Sequence, residues 1–201
     1  AIHHLAVSGQ ILASGGKVCN CLIHPSVRQA VHGRYEKAMQ GELSWCLDHI
    51  DDEFRTELHN AYDELHPEKS SKADFEAIFA VAKNLLESHA VKVLVMNGKH
   101  DVDSSEYSSG SNIVIGGNTL GRGVTFPALH TIYYTRTSKK PQADTMWQHS
   151  RMFGYDRDPG MMKVYIDEPL YKLFSDINAT NNSIIAQVER GTENIKIYYP
   201  D

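Results

Sequence analysis

No phosphate-binding loop of the form G-x-x-x-x-G-K-[ST] occurs anywhere in the 201 residues, so the chain has no Walker-type grip on a nucleotide's β-phosphate. No apolar run approaches the ~20 residues that a membrane-spanning helix needs. The start, Ala1-Ile2-His3-His4-Leu5, has neither the basic opening nor the continuous apolar core of a signal peptide. The three cysteines, Cys19, Cys21 and Cys46, cannot all pair within one chain, and a reduced, cytoplasmic setting is the simpler expectation. Basic excess is missing too. A net charge of −5 with histidines neutral argues against a protein that coats nucleic acid by itself, while leaving room for a groove lined locally by Arg and Lys. Internal repeats, low-complexity tracts, G-x-G-x-x-G, G-x-S-x-G and H-E-x-x-H are all absent, which removes the dinucleotide-fold, hydrolase-elbow and zincin classes.

What remains is an ordinary globular composition, 41% hydrophobic and 22% charged, at a length that suits one domain with a helical annex. The chain lacks an initiator Met and is expected to be a piece of a larger protein. Apolar spacing predicts an amphipathic helix over 1–14 ending at Gly15-Gly16, a strand over Cys19 to Ile23, and a helix carrying Val27, Ala30, Val31, Tyr35, Ala38 and Met39. Residues 42–66 read as one or two short surface helices, and about 42–88 as a mainly helical insertion. Ser71-x-x-Asp74 reads as a capping box before a helix through Phe75, Ile78, Phe79, Ala82, Leu85 and Leu86. Strands follow at 91–96, 113–115, 131–135, 163–166 and 195–199, with a helix from Pro141 and two helical stretches in 169–190 broken at Asn178 to Asn182. Short apolar strands alternating with helices predict an α/β fold: a mostly parallel sheet with helices on both faces. Ligands of such sheets bind beyond the carboxyl ends of the strands. His24-Pro25-Ser26 and the glycine segment after 115 fall there.

Two arginine segments draw attention at that edge. Gly116-Gly117-Asn118-Thr119-Leu120-Gly121-Arg122-Gly123 places four glycines and an arginine after a buried strand. Such a loop either needs glycine for its own path or admits a ligand close to its backbone. Gln148-His149-Ser150-Arg151 follows the Pro141 helix. Arg151 either complements the end of that helix or offers a second guanidinium, a group that binds phosphate oxygens bidentately.

The pairing of N-I-V-I-G-G-N-T-L-G-R-G-V-T-F with M-W-Q-H-S-R-M-F-G-Y, together with C-L-I-H-P-S at 21–26, resembles the Z-one (Z1) domain family. Those domains are similar to the second RecA-like domain of superfamily-two helicases and occur in ATPases of restriction and phage-defence systems. The resemblance implies a RecA-like domain over 1–201, the C-terminal motor half of an ATP-dependent DNA helicase or translocase. Catalytic roles fall to Arg151 as arginine finger, Arg122 and Gln148. Gly121, Gly123 and Arg157 lie on the nucleotide side, and His24, Ser26, Asn118 and Thr119 on the nucleic-acid side. ATP and Mg²⁺ are implied only in the full-length protein, because an N-terminal P-loop domain of the same chain holds them. DNA and nuclease or methylase subunits are the other implied partners; no membrane and no metal site are.

Ser150 stands where the family usually has Gly, Met152 where it often has Trp, and Asp156 where it has Arg. Ser150 and Asp156 favour an alternative, a degenerate docking module for a nuclease or ATPase partner. A third reading assigns nuclease chemistry to Asp101, Asp103 and Glu106. Three decoys are set aside: Ser14-Gly15-Gly16-Lys17 lacks the first glycine and final hydroxyl of a P-loop, Cys19-x-Cys21 has no second ligand pair, and His100-Asp101-x-Asp103 lacks the glycine and glutamate of a calcium loop.

Overall fold

The computed structural model describes residues 1–66, 74–96, 102–117, 125–136, 149, 158–192 and 194–197. Five strands, β1 (Val18–His24), β2 (Val91–Met96), β3 (Gly110–Gly116), β4 (Leu129–Tyr134) and β5 (Lys163–Ile166), form one sheet in the order β2-β3-β1-β4-β5. Every pairing is parallel, as expected for strands that read as near-continuous apolar runs and are covered on both sides. Helices α1 (Ile2–Ala13), α2 (Gln29–Asp48), α3 (Glu53–Leu65), α4 (Phe75–Glu87) and α5 (Glu168–Glu189), with short 3₁₀ turns at Ser104–Tyr107 and Pro159–Met161, complete the described elements. The architecture is therefore α/β, in an arrangement of the RecA-like kind. No helix among the described residues is long and apolar enough to cross a membrane.

Alternation along the central strand separates two cores. Cys21 and Ile23 face α2, packing with Ile113, Ile115, Tyr35 and Met39. Leu22 faces the other way with Val114, Ile132 and Tyr134, where Leu170 and Phe174 of α5 cover it. A third core joins the helices themselves: Leu5 and Ala6 of α1 meet Phe54 and Leu58 of α3 and Phe79, Ala82 and Leu86 of α4. Full burial of each large side chain contributes about 1.5–3 kcal/mol.

Several local expectations need correction. Helix α1 is not amphipathic in use, since His3 through Gly9 are buried without interruption between the sheet and α3 and α4. Helix α2 runs on to Asp48, into the stretch read as short surface helices, and α3 lies at the surface but packs one face inward, with Phe54, Leu58, Ala61 and Tyr62 buried. Polar residues on the outer face hid both facts from a count of apolar positions. The helix cap before Phe75 is Asp74, whose carboxylate accepts from the Glu76 N–H at 3.0 Å; Ser71 lies outside the described residues. Helix α5 continues through Asn178 to Asn182. Asn costs only tenths of a kcal/mol per residue in a helix, too little to break one whose apolar spacing persists on either side. Residues 194–197 form no strand: the Lys196 backbone N–H and C=O pair instead with the side-chain amide of Gln187, at 2.8 and 2.9 Å. The helix expected from Pro141 lies outside the described residues.

The Ser14-Gly15-Gly16-Lys17 decoy is explained by helix termination. Gly16 N–H donates to the Ile11 carbonyl and Gly15 N–H to that of Leu12, with Gly15 at φ +84°, a Schellman cap. Helix α4 ends the same way, Ala90 N–H to Leu85 and His89 N–H to Leu86, but here the left-handed position is an exposed histidine at φ +50°. His89→Gly is expected to stabilise the fold by about 0.5–1 kcal/mol, relief of the Cβ strain exceeding the added entropy of the unfolded chain. Differential scanning calorimetry should register a rise in Tm of about 1–4 °C; a fall would show that His89 makes a contact outweighing the strain.

Candidate functional site

Register sets the carboxyl edge of the sheet. Met96 lies beside Gly116, His24 beside Tyr134, and Tyr134 beside Ile166, so the last residues of all five strands stand in one row. The sequence places His24 in a turn; it is instead the final residue of β1, with no solvent exposure. Its ring therefore points inward and faces no external ligand.

Around it lies a cluster of buried polar groups. His24 Nδ1 is 2.9 Å from the Gly116 carbonyl, and His24 Nε2 is 3.3 Å from an Arg136 terminal nitrogen. The same guanidinium nitrogen is 3.1 Å from His149 Nε2, and His149 Nδ1 is 2.7 Å from the Tyr134 hydroxyl. Hydrogen-bond logic assigns the protons. A guanidinium only donates, so both Nε2 atoms accept from it. The ring protons then sit on Nδ1, where His24 donates to the Gly116 carbonyl and His149 to the Tyr134 oxygen. Two neutral imidazoles thus flank one cation.

Electrostatics agrees with that assignment. Burial, chiefly, lowers the His24 pKa to about 3; the Gly116 hydrogen bond opposes this, and His149, Arg136 and His32 reinforce it. Burial likewise raises Tyr134 to about 12. Ring packing tightens the cluster, with His24 centroids 5.1 Å from His149 and 5.2 Å from Tyr134, and Phe174 of α5 5.6 Å from Tyr134.

The turn after His24 is clamped from beneath. His32, buried on α2, has Nε2 2.6 Å from the Ser26 carbonyl, and the Ser26 hydroxyl accepts from the Arg28 N–H at 3.2 Å. Gly117 fits directly below, where an added Cβ would lie 2.9 Å from the Ser26 carbonyl oxygen and 3.2 Å from the His32 ring. Gly117→Ala must therefore push the turn off the end of β3, and denaturant unfolding is expected to reveal a loss of about 1–3 kcal/mol. An unchanged midpoint would mean that the turn yields freely. Arg28 caps α2 with extended backbone and no side-chain hydrogen bond, the first turn holds no acidic residue, and residues 27–30 are exposed.

Of the residues singled out in the sequence, His24 and Ser26 are described and lie at this edge. Arg122, Arg151, Gln148, Gly121, Gly123, Arg157, Asn118 and Thr119 lie outside the described residues. Their segments are nevertheless bordered by Gly117 and contain His149, both of which are at the cluster. Sequence reasoning missed Arg136, His149 and the partnership of Tyr134. Only the position of Arg136, two residues beyond a buried strand on the carboxyl side, could have signalled it.

Asp103 and Glu106 have a structural occupation. The Asp103 carboxylate accepts from the Ser105 N–H at 2.8 Å and Glu106 accepts from the Asp103 N–H at 3.1 Å, a capping box on the short turn Ser104–Tyr107. Those bonds hold the Asp103 carboxyl below its ordinary range. Among the described residues no cluster of three His, Cys, Asp or Glu is arranged to hold a metal. A cavity of about 420 Å³ opens between α1 and α2, lined by Cys21, Tyr35, Met39, Thr131 and Tyr133 among others; it lies away from the cluster and includes none of the candidate site residues.

Comparison with known proteins agrees with the segment pattern. The family model of the Z1 domain matches residues 1–197. No curated protein and no solved structure matches the chain.

Proposed function

The chain belongs to the Z1 domain family, and from that membership and the geometry of the carboxyl edge we propose that it is the C-terminal motor half of an NTP-dependent DNA helicase or translocase of a restriction-modification or endonuclease-like system. One observation carries the proposal. The His24 ring ties the end of β3, where the glycine segment begins, to Arg136 and through it to His149, inside the Gln148–Arg151 segment. The described residues Gly116 and His149, which belong to the two arginine-bearing stretches of the sequence, are thereby joined at one edge, the place where parallel α/β sheets bind ligands.

On this proposal ATP supplies the phosphoryl group, and an N-terminal P-loop domain of the same chain holds it with Mg²⁺. Support in sign comes from the Arg136 guanidinium, which stands at this edge between two imidazoles. Arg151 stabilises charge on the γ-phosphate, Gln148 orients beside it, and Arg122 links phosphate to DNA. Contact with the DNA backbone falls to Ser26 and to the exposed, uncapped first turn of α2 with Arg28, where free N–H groups and the helix dipole favour an anion. His32 acts from behind, holding the turn, and His24 ties its strand to the end of β3. The isolated domain is expected to hydrolyse ATP negligibly.

The rival, a docking module for a nuclease or ATPase partner, draws on Ser150 and Asp156. The nuclease reading loses its support to the capping box at Asp103 and Glu106. The deciding experiment is steady-state ATPase of the intact protein with and without duplex DNA. DNA-stimulated turnover supports the motor half, and its absence leaves the docking module.

A further inference from the structure

The cavity between α1 and α2 plays no part in the carboxyl-edge site. Its floor is the sheet, through Cys21 of β1, Thr131 and Tyr133 of β4 and Tyr165 of β5. Tyr35 and Met39 of α2 close one side, and His3 and His4 of α1 the other. Alternation along β4 puts Thr131 and Tyr133 on this face together, while Ile132 and Tyr134 pack in the core on the opposite face. At about 420 Å³ the space falls within the range of small-molecule sites and well above the ~150 Å³ that holds a benzene ring.

Aromatic rings run from α2 across the sheet to α1. Tyr35 lies 5.8 Å from Tyr133, Tyr133 6.2 Å from Tyr165, and Tyr165 6.4 Å from His3, centroid to centroid. Their planes are inclined by 52°, 38° and 85° in turn, so both faces and edges are on offer to a flat ligand ring. Charge is scarce. His3 and His4 are neutral, because burial first of all lowers their pKa values to about 4 and 3. Lys163, beside Tyr165, is paired with Glu64 at 2.6 Å. Glu42 is the one charged side chain of the described lining, and it is exposed at the rim. Nothing in the wall matches an anionic ligand.

Two polar atoms of the wall lack partners. Thr131 Oγ1 and His3 Nδ1 are buried and have no hydrogen-bond partner among the described residues, in residues only 5% and 8% exposed. Leaving such a group unmet is unfavourable. Because Thr131 lines the cavity, a turn about its Cα–Cβ bond presents the hydroxyl to that space, where a ligand group can pair with it.

We propose that this cavity binds an uncharged aromatic molecule of about two fused rings, seated against Tyr35, Tyr133 and Tyr165 with its polar group on Thr131. The site is independent of the motor-half function, and neither stands or falls with the other.

The test is isothermal titration calorimetry of the intact protein with indole and with indene, which has the same shape and no N–H. Indole is expected to bind with a Kd of about 0.1 mM, ordinary for so small a probe. Indole-3-acetate, the same ring system with a carboxylate, should bind at least about tenfold more weakly, since its charge loses water and gains no cation. Ala38→Phe introduces a ring at the mouth from an exposed helix position and should weaken both neutral probes by about tenfold or more. Thr131→Val keeps the shape and removes the hydroxyl, so indole should weaken about fivefold while indene holds to within about twofold. Absence of indole binding, or an affinity unchanged in Ala38→Phe, overturns the site. Equal effects of Thr131→Val on the two probes overturn the placement of the polar group, and equal affinity for indole-3-acetate overturns the preference for an uncharged ligand.

Discussion

On the motor-half function proposed above, Arg151→Ala in the intact protein is expected to lower DNA-stimulated ATP turnover by about 10³–10⁵-fold, the usual consequence of losing an arginine finger. The size follows from the chemistry. Phosphoryl transfer spreads charge over the equatorial oxygens of the transferred group, and little covalent work is left for the protein beyond placing positive charge there. A planar guanidinium meets two oxygens at once and stays charged in any surroundings, so Arg151→Lys should recover little. Nucleotide affinity should change far less than turnover, because the finger acts on charge that develops only in the transition state. Rapid-quench measurement of the chemical step, alongside equilibrium nucleotide binding, separates the two. Turnover near wild type would remove Arg151 from the reaction and make the departures at Ser150 and Asp156 the signature of a docking module.

Acidification should unfold the domain well above the usual carboxylate range. His3, His4 and His24 are 8%, 1% and 0% exposed, and burial first of all lowers their pKa values to about 4, 3 and 3. Each ring is neutral in the folded protein; His4 and His24 are committed to hydrogen-bond partners, while the buried His3 Nδ1 has none among the described residues. His4 Nε2, for instance, lies 3.0 Å from the Ser111 hydroxyl, and its Nδ1 lies 3.9 Å from Cys19 Sγ. In the unfolded chain the same residues take up protons near pH 6.5. Below that pH the unfolded state binds more protons, so stability is full above about 6.5 and declines as the pH falls towards 4 and 3. Three such groups give a slope of about 4 kcal/mol per pH unit at its steepest, against a total stability of about 5–15 kcal/mol. Thermal melts from pH 7.5 to 4.5 should therefore show a steep decline in Tm, and His4→Asn should lessen the slope by about a third. A Tm constant between pH 7 and 5 would mean that water or rearrangement reaches these rings in the folded state.

Periodicity carried much of the fold because it reports local geometry. Val91 to Met96, Ile113 to Ile115 and Lys163 to Ile166 read as strands and are strands; the central Ile113 to Ile115 is buried throughout, whereas the edge strands β2 and β5 stay partly exposed and keep Lys92 and Lys163. The same local character explains the errors. Polar residues outside α2 and α3 masked how long the first is and how buried the second, and the Asn-rich stretch of α5 suggested a break that neighbouring turns overrode. Ile195 and Ile197 looked like a strand, yet half their surface is open, because a strand needs a partner edge that no local pattern can promise.

By itself the sequence determined the α/β class, the parallel sheet and the family, since those follow from alternating periods and from short segments whose spacing is preserved in the chain. It also marked the carboxyl ends of β1 and β3 as the place to look. Only the tertiary structure decided that His24 is buried, that Asp103 and Glu106 serve a turn, and that Arg136 lies between two imidazoles. The physical reason is distance along the chain. Residues 24, 116, 134, 136 and 149 meet through strand register and crossover connections, and a proton's place on each ring depends on which partner that meeting supplies.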